Sequence, residues 1–94
     1  MQPSYYAYIA ECIGTMILCI LLFSTINPIP IGLGYMLIKY SLYHVSGAFV
    51  NPAVTLAMVL DKQISIQDFL PYVVAQGVGA IVGYEIHKYF EIEA

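Results

Sequence analysis

The sequence of 94 residues contains no arginine, and its three basic residues are Lys39, Lys62 and Lys88. Proteins that bind nucleic acids carry clusters of Lys and Arg that neutralise phosphate groups. Three widely spaced lysines and a net charge of −3 provide no such cluster. We therefore expect no nucleic-acid partner.

Charged residues of either sign are scarce as well. They make up 10% of the chain, whereas typical soluble domains contain about 25%. Hydrophobic residues account for 61%, and the mean hydropathy is +0.81. A soluble core of this size cannot hide so much apolar surface, so membrane lipid must cover the rest. The composition predicts one all-α domain, residues 1–94, in a multi-pass integral membrane protein.

Cysteine and histidine are too few and too scattered to suggest catalysis or metal binding. Cys12 and Cys19 lie on one apolar run, about two helical turns apart, which is too far for a disulfide. His44 and His87 belong to no cluster with metal-ligand spacing. Ser46 follows His44 by two positions, and residues at that spacing need not face each other. We predict no metal, no cofactor and no enzymatic activity.

Three apolar runs are candidates for membrane-spanning helices, at residues 8–26, 31–45 and 69–89. No basic residue precedes the first run, as it would in a secretory signal, so we expect a retained span. Residues 27–30 contain two prolines and are predicted to form the turn that ends it. The second run is short and carries Lys39, which we expect to snorkel to the interface.

An uncharged stretch from residue 40 to residue 60 is broken at its centre by Ser46-Gly47 and Asn51-Pro52. We interpret residues 46–60 as a re-entrant loop followed by a half-helix, because a helix from Pro52 to Leu60 would reach only about 13 Å across a hydrocarbon core of about 30 Å. Broken helices at membrane depth occur where they are buried in protein or line a water-filled path. The predicted fold is three transmembrane helices plus one re-entrant half-helix, with a pore or transport site at the break.

Asn51 is well suited to the start of this half-helix. Asparagine is a preferred N-cap residue, and proline is favoured at the first helical position. If the Asn51 side-chain oxygen accepts from a free backbone N–H, its NH₂ group points away as a fixed donor. The helix N-terminus adds a partial charge of about +0.5, which would orient a water oxygen and repel cations and protons. The alternative is an ordinary helix cap without a pore role.

A stripe of small residues in the third run has a simpler interpretation. Ala75, Gly79 and Gly83 recur at every fourth position. Such a stripe lets a second helix approach closely. We assign these residues to helix packing.

Several segments resemble the aquaporins, the major intrinsic protein family. Residues 46–57, Ser-Gly-Ala-Phe-Val-Asn-Pro-Ala-Val-Thr-Leu-Ala, resemble the Ser-Gly-x-His-x-Asn-Pro-Ala-Val-Thr loop of the family's first half. Other segments resemble the start of the family's first helix (Ala10-Glu11 and Gly14-Thr15) and its third helix (Pro71-Tyr72, Ala75-Gln76, Gly79-Ala80-Ile81 and Gly83). The resemblance covers nearly the whole chain and implies a single half-repeat like the N-terminal half.

The resemblance also implies roles for individual residues. Asn51, Pro52 and Ala53 would line the pore. Glu11 would be the buried glutamate that holds the backbone of the re-entrant loop, and Gln76 would brace the same loop.

The sequence departs from the family pattern at three positions of the expected constriction. Phe49 replaces the loop histidine, and Ile31 stands where the second helix contributes an aromatic residue. Val54 stands where the family's second half places an arginine. A constriction formed by Ile31, Phe49 and Val54 would be more apolar than in a water-selective channel, and an apolar constriction can gate by dewetting.

Family members carry two such repeats related by a two-fold axis in the membrane plane, and this sequence shows one. The resemblance therefore implies pairing of two copies in opposite orientations. Lys39 and Lys62 lie toward one predicted face and Lys88 toward the other, so the positive-inside rule gives little orientation preference. We predict a passive channel for water or a small uncharged solute, built by an antiparallel homodimer or multiples of it. The alternative is a non-conducting interaction subunit that associates with full-length aquaporins.

Overall fold

The computed structural model describes residues 4–93, and within that range all the regular structure is helical. The helices are α1 (Tyr5–Ser24), α2 (Pro28–Ser46), α3 (Pro52–Leu60) and α4 (Phe69–Phe90), with a short 3₁₀ turn at Ile66–Asp68 immediately before α4. The prediction of an all-α chain is confirmed for the described residues.

Two of the helical segments are long and apolar enough to cross a membrane. They are Tyr5–Ser24 and Ile66–Phe90. A helix of 20 residues such as α1 extends about 30 Å, the thickness of a hydrocarbon core. Large apolar side chains on their outer surfaces are exposed, including Ile9, Ile17, Val74 and Ile81.

The start of α2 differs from the turn expected at residues 27–30. The helix begins at Pro28, and Asn27 caps it by accepting a hydrogen bond from the Ile29 backbone N–H at 3.0 Å. Proline is tolerated in the first helical turn because the backbone donor that it lacks has no partner there. Both Pro28 and Pro30 lie in that turn, so they start a helix at this position.

The glycines of α4 allow it to lie directly on the backbone of α1. A Cβ atom added at Gly79 would collide with the Cys12 carbonyl, and one at Gly83 would lie 2.7 Å from the Met16 carbonyl oxygen. Ala75 is half-buried one turn earlier. Gly77 is exposed and would meet nothing within 4 Å, so close approach is confined to one face of α4.

The segment between α2 and α3 runs through the interior of the fold. Residues 46–50 are all buried. Phe49 packs in a cluster with Ala7, Ile64 and Tyr72, while Ala48 and Val50 pack with Ile38 of α2. We call residues 47–50 the buried loop. It ends at Asn51, so the packing of this loop fixes the position of the half-helix α3.

Candidate functional site

Asn51 starts the half-helix with a well-formed cap. Its side-chain Oδ1 accepts hydrogen bonds from Ala53 N at 2.8 Å and Val54 N at 3.5 Å. Pro52 occupies the first helical position. The Asn51 residue is exposed, and its NH₂ group has no hydrogen-bond partner among residues 4–93. The cap therefore holds an amide donor beside the positive end of the helix.

The loop that delivers Asn51 has an unusual backbone. Gly47, Ala48 and Val50 have φ angles of 87°, 51° and 47°. The left-handed region suits glycine but is unfavourable for alanine and more so for a β-branched valine. Such conformations cost about 1–3 kcal/mol each and persist when surrounding contacts fix them.

Glu11 of α1 accepts two hydrogen bonds from the backbone of this loop. Its fully buried carboxylate accepts four hydrogen bonds: from Ser46 Oγ at 2.6 Å, Phe49 N at 3.1 Å, Val50 N at 2.8 Å and Gln76 Nε2 at 2.8 Å. A deprotonated carboxylate is acceptor-only and can satisfy all four donors. Two of them are the loop's own amides, so Glu11 joins the loop to α1.

Gln76 extends the same network from α4 to the half-helix. Its Nε2 donates to Thr55 Oγ1 at 2.8 Å as well as to Glu11. The Thr55 hydroxyl in turn donates to the Asn51 carbonyl at 2.8 Å. The side chains of Glu11, Thr55 and Gln76 are buried and connect three helices around the start of α3.

Three further braces were missed by the sequence reasoning. The Tyr72 hydroxyl donates to the Ser46 carbonyl at 2.8 Å. The Ser46 hydroxyl donates to Glu11, and the Thr55 hydroxyl donates to the Asn51 carbonyl. The Thr55 position offered a signal, because a hydroxyl four residues after a helix cap can reach the cap's carbonyl. Ser46 and Tyr72 offered none, because their role depends on the path of the loop.

Lys39 contacts the loop, and its snorkelling to the interface stays a prediction. Its Nζ donates to the Gly47 carbonyl at 2.9 Å and to the Ala48 carbonyl at 3.1 Å. Buried backbone carbonyls need hydrogen-bond donors, and the left-handed loop leaves these two outside the regular helical pattern, so Lys39 supplies the donor.

Ile31, Phe49 and Val54 do not meet at one point within a single copy. Phe49 is buried against the Tyr72 ring, with centroids 5.6 Å apart, and the half-buried Val54 packs against the same cluster. Ile31 lies in the first turn of α2, whereas Phe49 follows the opposite end of that helix. The Phe49 ring centroid lies 5.5 Å from Lys39 Nζ, and Lys39 is eight residues, or about 12 Å along the axis of α2, from Ile31.

The first turn of α3 is left uncovered. Asn51, Pro52 and Ala53 are all exposed, although the loop before them and the Thr55 side chain after them are buried. Within residues 4–93, no group of three or more His, Cys, Asp or Glu side chains is placed to hold a metal ion. The uncovered surface presents the Asn51 NH₂ donor and the N-terminal end of the α3 dipole.

Comparison with known proteins gives consistent matches. The family model described as "Major intrinsic protein" matches residues 26–93. Human aquaporin-1 is 51% identical over 55 residues, covering 58% of this chain and 20% of the human protein. Mouse aquaporin-4 is 37% identical over 98 aligned residues, covering 87% of this chain and 30% of the mouse protein. The chain therefore spans less than a third of the length of these relatives.

Proposed function

The chain belongs to the major intrinsic protein family, and we propose that it builds one half of a passive transmembrane channel for water or a small uncharged solute. The observation that carries the proposal is the Asn51 amide. Its oxygen is used by the cap, while its NH₂ group has no partner among the described residues and lies at an exposed helix N-terminus. A fixed donor beside a positive dipole end can orient the oxygen of a passing water and disfavour cations.

The same proposal assigns a membrane topology. We place α1, α2 and α4 as three crossings of a multi-pass integral membrane protein and α3 as a re-entrant half-helix. At ~1.5 Å per residue, Pro28–Ser46 is about 28 Å long, which suffices for a crossing. Asn51, Pro52 and Ala53 then lie near the middle of the bilayer, and Asp61 at the end of α3 lies near one face.

A second copy in the opposite orientation is the proposed partner. The exposed first turn of α3 carries unpaired polar groups that hydrocarbon would leave unsatisfied, at several kcal/mol for each group. An antiparallel copy would cover it with its own Asn51–Ala53 segment. Because the second copy's half-helix enters from the other face, its Val54 would come to the level of Ile31 in the first copy, and together they would form an apolar constriction.

The channel is tested by the osmotic water permeability of proteoliposomes that contain this chain alone. We expect shrinkage several-fold faster than in empty liposomes of the same lipid, with a low activation energy. If the rates are equal, uptake of glycerol and urea by the same vesicles decides whether another uncharged solute passes. Vesicles impermeable to all three would contradict the channel and leave the interaction subunit as the function to test.

The antiparallel arrangement is tested by labelling a single cysteine in whole cells. Gln63 lies in the segment between α3 and α4 and is exposed, so Gln63→Cys would be introduced with Cys12 and Cys19 replaced by alanine. A membrane-impermeant maleimide should label part of the population in intact cells and all of it after permeabilisation. Labelling of all molecules, or of none, before permeabilisation would exclude the antiparallel homodimer.

A further inference from the structure

Lys39 holds a positive charge within the fold. Its Nζ donates to the carbonyls of Gly47 and Ala48 at 2.9 and 3.1 Å and lies 5.5 Å from the ring centroid of Phe49. Lys39 precedes the end of α2 at Ser46 by about two turns, or ~10 Å along the axis. The side chain therefore reaches from within α2 toward the C-terminal end of that helix, where Gly47 caps it and the loop begins.

The ammonium group lines a cavity between α2 and the half-helix. The cavity has a volume of about 300 Å³, and its lining includes Lys39, Gly47, Phe49, Met58 and Asp61. We call it the vestibule. Because Asp61 caps the end of α3, the vestibule leads from the face where α3 ends toward the loop that carries Asn51. Within residues 4–93, no carboxylate lies within 4 Å of Lys39 Nζ, so its charge is not neutralised by an ion pair.

We propose that Lys39 excludes cations, protons included, from the vestibule and so sets the charge selectivity of the path. Two effects act together. The unpaired positive charge repels an entering cation, and the ammonium group occupies two carbonyl oxygens of the kind that replace the hydration shell of an alkali ion. The chain contains no arginine that could do this instead. The inference rests on the proposed channel and adds to it that uncharged solutes pass while cations do not.

Three substitutions separate the charge from the hydrogen bonds. Lys39→Met removes both, Lys39→Gln removes the charge but keeps an NH₂ donor for the loop, and Lys39→Arg keeps both. Lys88→Gln is the matched control, because Lys88 also lies over an aromatic ring, 5.8 Å from the Tyr84 centroid, but in an exposed pair with Glu85 at 3.8 Å. Lys39→Gln also guards against loss of the fold, since it can still brace the loop.

Proton flux into proteoliposomes is measured with an entrapped pH dye, and potassium flux is measured under an imposed diffusion potential. Osmotic water flux is measured in the same preparations. We expect the wild type, Lys39→Arg and Lys88→Gln to be impermeable to cations. Lys39→Gln and Lys39→Met should admit protons or potassium roughly tenfold faster or more, because a unit charge a few ångströms from the path has at least that effect at the effective dielectric of a protein.

The outcomes separate this inference from the channel itself. Neutral variants that conduct water and stay as impermeable to cations as the wild type would overturn the role of Lys39 alone. A leak in Lys39→Met but not in Lys39→Gln would assign the barrier to the hydrogen bonds and would overturn the role of the charge. If the wild type passes no water, the proposed water channel fails. The cation flux of Lys39→Gln then still tests the role of Lys39. A cation leak in this variant supports that role, and the absence of a leak overturns it.

Discussion

Asn51→Asp is expected to abolish the osmotic water flux of proteoliposomes while leaving the fold intact. Aspartate is as good an N-cap as asparagine, so the bonds to Ala53 N and Val54 N are retained. The substitution removes the NH₂ donor and places a negative charge where water must pass. Loss of the donor together with the new charge should lower the flux roughly tenfold or more, toward that of empty liposomes.

Asn27→Asp makes the same chemical change at the other asparagine cap. Asn27 Oδ1 accepts from Ile29 N at 3.0 Å at the start of α2, and the residue is exposed. Asn27 lies at the opposite end of α2 from the buried loop, so its substitution should leave the flux unchanged. A normal flux in Asn51→Asp, with helix content equal to that of the wild type, would remove Asn51 from the path and with it the basis of the proposed function.

Much of the half-helix could be predicted because its determinants are adjacent in the sequence. A cap, a proline at the first helical position and the break after Gly47 lie within a few residues of one another, and local backbone chemistry decides their conformation. The start of α2 is equally local, yet the prediction for it is wrong. The prolines of residues 27–30 predict a helix end there, but in the structure Asn27 caps a helix as Asn51 does.

The network around the half-helix could not be worked out in this way. Glu11 contacts amides 38 and 39 positions away, and its role was inferred from the family resemblance. The bonds from Lys39 to the loop carbonyls are not predictable either, because the loop presents these acceptors only once it turns through left-handed conformations at Ala48 and Val50. Neither residue type favours that region, so no sequence signal foretells it. Buried polar groups must find partners, but the sequence does not say which ones.

Glu11→Gln is expected to be the most destabilising substitution that conserves side-chain shape. A glutamine presents an NH₂ group where two of the four donors to Glu11 now point, so at least one loop amide loses its acceptor. The free energy of unfolding should fall by about 3 kcal/mol, the scale of losing charge-assisted hydrogen bonds in a buried site. Thermal unfolding in detergent micelles measures the loss, and faster hydrogen exchange at the Phe49 and Val50 amides would locate it in the loop.

Glu85→Gln is the control for the loss of one carboxylate. Glu85 is 60% exposed and pairs with Lys88 at 3.8 Å, and exposed pairs of this kind contribute between about 0 and 1 kcal/mol. An unchanged melting temperature and unchanged hydrogen exchange in Glu11→Gln would mean that the loop holds its conformation without the carboxylate.

The variants Asn51→Asp and Glu11→Gln separate two roles at one site. Asn51→Asp should lose flux at wild-type stability, because it removes a donor from a correctly placed half-helix. Glu11→Gln should lose flux together with loop protection, because it removes what places that half-helix.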